Sequence, residues 1–542
     1  MLLEKYSKKR FMIVDELDTF RFSTKKALMS LGLKLIDTAA SGQQVISALQ
    51  NVDYDVILCN FDLGKGKNGQ ELLEELRYKK LLKYSSLFFI ISAEVAKDKV
   101  MGTIENEPDG YFVKPVNPAD LGKRLSKSLE QKEATRAIDQ ALDQNDLEKA
   151  LTLCNEKIER KEPYRLLCLK IKSWILTKLG RQQEARSLYE QLLKSAEYNW
   201  AEFGLANILI DEGDYDIAEE LLKKIIDKDE NRVEAYDQLA QIAAKKKDLV
   251  TARSYLQEAA NRSPNSLHRQ KALADISLKS GNDEDAFEAF RKVIKLSEQS
   301  IYADTSHFFE FADQLTKSAA QENEGFTGKK YQKEAFDLLQ KAKKRFSERP
   351  QIDEQTRLME ASLNANLGNT EEAEKILGEV NEKSAKKGLT LSAESSLVAA
   401  KVLYGIGKTD EAEKLLEATA DGAQGEGKIL SQAYDMMESA ISLKQRQQAA
   451  DANRQGIKLY NDGKLDESIK LLNSAIPLTP RHISLNLNLL QVLLKRAKDQ
   501  GLGNNKQQCE LCLHRVRHIP ETHKEYKRFA YLKKQFEKAV QG

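Results

Sequence analysis

Pairs of small residues twelve positions apart recur through most of this chain, and this spacing restricts what the chain can fold into. The second members of the first four pairs lie 33, 34 and 34 residues apart. Such pairs let the two helices of a hairpin approach closely, and a glycine five residues before the second member can end the first helix in a left-handed turn. The sequence therefore predicts a row of helical hairpins. The pairs are Ser173/Ala185, Ala206/Ala218, Ala240/Ala252, Ala274/Ala286, Ala361/Ala373, Ala400/Ala412 and Gly456/Ser468, with Gly180, Gly213, Lys247, Gly281, Gly368, Gly407 and Gly463 at the turns.

This period, with its glycine, alanine and proline positions, resembles the tetratricopeptide repeat (TPR). The resemblance implies an all-α superhelical solenoid. We expect it over residues 125–520, as about eight or nine hairpins. A capping helix over residues 521–542 is expected to follow. A coiled coil would instead need sustained heptads, which the sequence lacks.

Residues 1–124 follow a different pattern, in which short apolar runs alternate with amphipathic segments. The runs RFMIVDE, LKLIDTAA, YDVILCN, LFFIISAE and GYFVKPV each predict a buried strand. Helices are predicted over Phe22–Leu31, Gly42–Leu49, Gly69–Leu82 and Ala96–Asn106, with a closing helix from Pro118 that continues through Lys123–Gln140 without a glycine or proline. The pattern predicts a flavodoxin-like (βα)5 domain with a parallel sheet, joined stiffly to the first repeat.

Polar side chains stand where the predicted strands end, which is where parallel sheets place their working groups. Together they resemble the pocket of bacterial response regulator receiver domains. In that family an acid pair and a phosphoacceptor aspartate hold Mg²⁺, a Ser or Thr and a Lys contact the phosphoryl group, and an aromatic residue acts as a switch. The matching positions are Asp15 and Glu16, Asn60, Ser92, Lys114 and Tyr111.

Asn60 departs from the family pattern. A carboxylate accepts phosphate as an acyl phosphate, whereas a neutral amide cannot. The sequence therefore predicts a receiver that is not phosphorylated at the usual position. Asp62, two residues later, is the alternative acceptor.

Two readings of the surrounding charges stay open. Asp15, Glu16 and Lys114 can form a structural ion cluster, in which Lys114 pairs permanently with Asp15 or Asp62. Alternatively Asp15, Glu16 and Asp62 bind Mg²⁺ weakly. No cofactor other than this Mg²⁺ is expected.

The concave surface of the repeats is the second candidate site, because solenoids bind partners there. Aromatic anchors beside polar groups favour binding. Packing between repeats is the alternative role for these side chains. Counting from the small pairs places five residues on this surface: Lys170, Trp174, Trp200, Phe203 and Asn207.

The amino-acid composition argues against several classes of protein. The 85 basic and 83 acidic residues nearly cancel, so no global charge attracts nucleic acid. The stretch from Pro480 onward is locally basic but carries no recognised DNA-binding motif. No apolar run is long enough for a membrane span. Five cysteines are too few for a disulfide framework, so we expect reduced, packed thiols and a cytoplasmic protein.

These features predict a non-enzymatic two-component signalling adaptor. We expect its receiver to dock on a sensor histidine kinase or another pathway component, and its repeats to bind a protein or peptide. The alternative is a response regulator switched by phosphorylation of Asp62. A basic repeat protein that binds nucleic acid is a remoter alternative.

Overall fold

The computed structural model describes most of the chain as two compact units, Met1–His307 and Phe308–Gly542. The described residues are 3–64, 66–93, 108–321, 326–386, 390–422, 429, 432–433, 436–437, 443–479, 482–503, 505–517, 519 and 525–541. Within them, no helix combines the length and the apolar character needed to cross a bilayer.

The first unit begins with a five-stranded parallel sheet in the order β2-β1-β3-β4-β5. Apolar clusters cover both of its faces, as expected for a doubly wound sheet. The predicted (βα)5 architecture is confirmed in the described part. The elements are β1 Arg10–Val14, α1 Asp18–Ser30, β2 Leu35–Ala39, α2 Gly42–Leu49, β3 Val56–Asn60, α3 Gly69–Tyr78, β4 Leu87–Ser92 and β5 Gly110–Val113.

Two helix boundaries differ from the sequence expectation. Helix α1 begins at Asp18, one turn earlier than predicted. Helix α3 ends at Tyr78 instead of Leu82, and Lys80 just beyond it has a positive φ of 54°. The helix therefore ends before the amphipathic pattern of the sequence ends. The helix predicted over Ala96–Asn106 lies outside the described residues.

Helix α4, Pro118–Asp143, joins the sheet domain to the repeats without interruption. The Asn117 side chain caps it by accepting a hydrogen bond from the Ala119 N–H at 2.8 Å. Its first half packs among the strands and its second half packs against the first hairpin. The predicted continuity of this helix is confirmed.

The rest of the first unit consists of helices that pack as antiparallel neighbours. The small pairs lie buried between them, for example Ala206 and Ala218, which are both fully buried. The predicted left-handed turns are also confirmed, with φ of 90° at Gly213, and Lys247 adopts 65° without being a glycine. The helices are α5 Leu147–Glu159, α6 Arg165–Lys178, α7 Gln182–Ser195, α8 Asn199–Glu212, α9 Tyr215–Lys228, α10 Val233–Lys245, α11 Leu249–Arg262, α12 Leu267–Lys279 and α13 Asp283–Ser297.

The second unit continues the helical pattern. All five cysteines of the chain are buried free thiols, and Cys509 and Cys512 pack within one apolar cluster. Packed thiols are thus confirmed. Helix α14, Thr305–Gln321, begins in the first unit, and the following helices are α15 Phe326–Arg345, α16 Ile352–Asn366, α17 Thr370–Lys386, α18 Ala393–Gly405, α19 Thr409–Gly422, α20 Leu443–Asn461, α21 Leu465–Ala475, α22 Ile483–Gln500, α23 Asn505–Arg515 and α24 Tyr526–Gln541.

Candidate functional site

An ion pair occupies the carboxyl edge of the sheet. Asp15 directly follows β1 and Lys114 directly follows β5, and the parallel strands bring both to this edge. Asp15 is fully buried. Its Oδ2 accepts a hydrogen bond from Lys114 Nζ at 2.8 Å, and its Oδ1 accepts from the Leu17 N–H at 2.9 Å. Both carboxylate oxygens of Asp15 are therefore engaged.

Helix α1 adds a second cation and an aromatic ring to this edge. Arg21 Nη1 donates to the backbone oxygens of Asp15 at 2.5 Å and Glu16 at 3.0 Å. The Lys114 ammonium lies 3.9 Å from the centre of the Phe20 ring. Sequence reasoning missed Phe20 and Arg21, since their only signal is a position on the first turn of the helix that follows β1.

Asn60 ends β3, as predicted, and is 7% exposed. Its Nδ2 donates to the backbone oxygen of Asp62 at 2.5 Å. Asp62 itself is exposed, and its Oδ1 accepts from the Gly64 N–H at 2.9 Å. The Asp62 carboxylate thus closes its own turn. Glu16 lies close to the same turn: a Cβ added at Gly64 would overlap the Glu16 carboxylate.

The acidic side chains at this edge of the sheet are the candidates for Mg²⁺. Among the residues that the structure describes, no three His, Cys, Asp or Glu side chains converge as a metal site requires. Asp15 is paired with a lysine, and an amide is a poorer ligand than a carboxylate for a hard cation. Weak Mg²⁺ binding at Asp15, Glu16 and Asp62 stays a prediction, as the alternative to the structural ion cluster.

Ser92 and Tyr111 lie on β4 and β5, the two strands that follow β3 in the sheet. Ser92 ends β4, and its backbone oxygen accepts from the Lys114 N–H at 2.8 Å. Tyr111 pairs with Ile90 across β4 and β5, and its ring is half-buried against one face of the sheet. The structure therefore brings Ser92 to the Lys114 edge and turns Tyr111 toward the apolar cluster.

The five candidate residues of the repeats differ in burial. Phe203 is 8% exposed within an apolar core cluster, which favours packing as its role. Trp200 contacts the rings of Tyr189 and Tyr198, both at 6.1 Å between centroids. Trp200 and Phe203 both pack within the repeats, because the first helix of each hairpin also contacts the adjacent hairpin.

The other three candidates have different environments. Lys170 is exposed. Asn207 is half-buried, and its buried Oδ1 accepts no hydrogen bond from the described residues. The Trp174 ring is half-buried and contacts Tyr84 of the sheet domain, at 5.8 Å between centroids. Trp174 therefore already has an aromatic partner within the chain.

Two family models match the chain. Residues 11–126 match the response regulator receiver domain, and residues 176–242 match the tetratricopeptide repeat. The N-terminal domain is a response regulator receiver domain. TPR repeats follow it. The chain is thus related to two-component signalling proteins and carries protein-interaction repeats.

Known relatives resemble separate parts of the chain. The receiver domain is 28% identical over 122 residues to the chemotaxis protein CheY-3 of Vibrio cholerae, covering 22% of this chain and 92% of CheY-3. It is 28% identical over 118 residues to the nitrate/nitrite response regulator NarL of Escherichia coli K12, covering 22% of this chain and 53% of NarL. A crystal structure of the C-terminal part of a TPR repeat-containing protein from Cytophaga hutchinsonii is 14% identical with a TM-score of 0.36, covering 52% of this chain and 99% of that chain.

Proposed function

We propose that this chain is a non-enzymatic adaptor of two-component signalling whose receiver domain works without phosphorylation. Receiver domains generally bind kinases or other signalling proteins, and TPR repeats generally bind proteins. In the proposed function the receiver docks on a sensor kinase or another component of its pathway. The repeats hold a second protein beside it.

The observation that carries this proposal is Asn60 at the end of β3, beside an ion pair between Lys114 and Asp15. An amide nitrogen is delocalised and cannot attack phosphorus. In the resemblance drawn above, the lysine contacts a phosphoryl group. In this chain the charge of Lys114 is already balanced by the buried carboxylate of Asp15. The pocket therefore favours one fixed state.

Asp62 is the competing acceptor, because its carboxylate is exposed two residues after Asn60. Its Oδ1 accepts from the Gly64 N–H, and the Asn60 amide bonds its backbone oxygen. These contacts hold the Asp62 side chain in a turn outside the Asp15–Lys114 pair. They support the adaptor over a phosphorylation switch at Asp62.

Exposure of the full chain to acetyl phosphate and Mg²⁺, followed by intact-mass measurement, tests the proposal. We expect no phosphoryl adduct on the wild type and an adduct on Asn60→Asp, since that substitution restores a carboxylate nucleophile. The control variant Asn60→Asp/Asp62→Ala should keep the adduct. A wild-type adduct that disappears in Asp62→Ala would overturn the adaptor reading and establish Asp62 as the acceptor.

A further inference from the structure

Helix α15 of the second unit carries an exposed row of lysines along one side. The members of the row recur at spacings of three and four residues, so they project from the same side of the helix, over about 27 Å of its length. The opposite side is buried, where Ala335 and Leu338 are 0% and 3% exposed. All six members of the row are exposed, and we call them the lysine face: Phe326, Lys330, Lys333, Asp337, Lys341 and Lys344.

The charge of this face is not balanced within the described part of the chain. There, the ammonium groups of its four lysines make no ion pair and no hydrogen bond. Other lysines of the same unit are paired, as Lys317 and Lys401 are with Asp313 at 3.0 and 2.6 Å. Residues 326–351 together hold eight Lys or Arg and three Asp or Glu. The lysine face is therefore available to an anionic partner.

A cavity of about 510 Å³ lies where the lysine face ends, between the last turn of α15 and the first turn of α16. Lys344 belongs to both the face and the cavity. Lys343 and Arg349 also line the cavity, and Asp353, whose Oδ1 lies 2.8 Å from Lys343 Nζ, is the one carboxylate among its lining residues. Three cations against one carboxylate give the cavity a net positive charge. The positive surface therefore continues past the end of the helix.

We propose that the lysine face binds the surface of an anionic lipid bilayer. Clusters of four to eight basic residues on a helix are attracted to acidic headgroups. A straight row of side chains on one helix can touch a flat surface along its whole length. Phe326, which is 89% exposed at the start of the row, supplies an apolar side chain for the boundary between headgroups and acyl chains. This contact goes beyond the adaptor function and does not depend on it.

The composition of the face favours a bilayer over a macromolecular partner. Protein interfaces are depleted of lysine and have an apolar core, whereas the lysine face has a single apolar side chain at one end. Arginine, with its planar fork of donors, is the residue favoured for recognition of nucleic-acid phosphates. All four cations of the face are lysines, which act as point charges and suit headgroups that have no fixed geometry.

Sedimentation of the full chain with vesicles tests the proposal. We expect binding to vesicles of phosphatidylcholine mixed with phosphatidylglycerol, no binding to phosphatidylcholine alone, and weaker binding at high salt because the charges are screened. Each lysine near an acidic surface contributes about fivefold in affinity. Lys330→Gln/Lys333→Gln/Lys341→Gln/Lys344→Gln should therefore bind at least about a hundredfold more weakly. Absence of wild-type binding to the acidic vesicles would refute the inference.

A matched variant separates the lysine face from net charge. Lys375→Gln/Lys386→Gln/Lys408→Gln/Lys464→Gln removes the same charge from lysines of the second unit that pair with glutamates. These positions lie outside the face, so this variant should bind the acidic vesicles as the wild type does. An equal loss in both quadruple variants would contradict the assigned face.

A variant that should gain affinity excludes misfolding as the cause of a loss. Asp337 is the one acidic member of the face, and Asp337→Asn should tighten binding to the acidic vesicles by about fivefold. Asp462→Asn, at an exposed aspartate of the same unit outside the face, should leave it unchanged. Unchanged binding of Asp337→Asn would contradict a contact through this face.

A DNA duplex of random sequence serves as the competing polyanion. We expect the full chain to bind the acidic vesicles in the presence of an equal phosphate concentration of the duplex. Tighter binding to the duplex than to the vesicles, lost in the quadruple variant of the lysine face, would refute the bilayer and establish nucleic acid as the partner.

Discussion

Replacement of Asp139 by asparagine should stabilise the junction between receiver and repeats at neutral pH. Asp139 lies on α4 and is 4% exposed. Its Oδ2 accepts a hydrogen bond from the Thr135 hydroxyl at 2.8 Å, and Lys132 Nζ lies 3.8 Å away. Burial raises the pKa of Asp139 from 3.8 to about 6. Lys132 and Thr135 oppose the rise, while the charges of Asp143 and Asp109 add to it.

The direction of the pH dependence follows from proton binding. The folded chain binds the Asp139 proton more tightly than the unfolded chain, so this group's contribution to stability decreases as pH rises through the interval between 3.8 and about 6. At about 1.4 kcal/mol for each pH unit, the full cost above that interval is about 3 kcal/mol. Near pH 4.5 only about 1 kcal/mol of that cost is present.

Asp139→Asn keeps an oxygen that can accept from Thr135 and removes the charge. We expect the free energy of unfolding of the variant to exceed that of the wild type by about 3 kcal/mol near pH 8, and by only about 1 kcal/mol near pH 4.5. Urea unfolding followed by circular dichroism at both pH values measures the difference. Asp211→Asn, at an exposed aspartate of the same unit, controls for the loss of a charge. An equal effect at both pH values, or a less stable variant near pH 8, would refute the reasoning.

Three backbone positions of the repeats allow further tests by thermal unfolding. Gly204→Ala should destabilise by about 1–3 kcal/mol, because the new Cβ would overlap the Tyr189 ring of the neighbouring helix. Gly378→Ala, which meets nothing within 4 Å inside a helix, should stabilise by about 0.5–1 kcal/mol, and equal effects at both positions would contradict the overlap. Lys247→Gly should stabilise by about 1 kcal/mol by relieving the left-handed backbone of a non-glycine residue. A destabilised Lys247→Gly would mean that the lysine side chain contributes more than its backbone strain costs.

The sequence alone determined the architecture, because the architecture depends on periodicity. The apolar runs of the sequence predict that strands end at Asn60 and Ser92. The residue type alone predicts left-handed turns at residues such as Gly213. The small pairs of the repeats likewise predicted where helices approach closely. The pocket residues were predictable for the same reason, since the ends of parallel strands meet at one edge of a sheet.

Only the tertiary structure decided how those residues are partnered. Lys114 could have paired with Asp15 or Asp62, and the structure pairs it with Asp15 because Asp62 closes its own turn. Residues far apart in sequence meet only when the chain folds back, as Tyr84 and Trp174 do. Phe203 was placed on a surface by counting, yet neighbouring helices cover it. Periodicity assigns a residue to a face of its helix, whereas the contacts of that face depend on the packing of the whole unit.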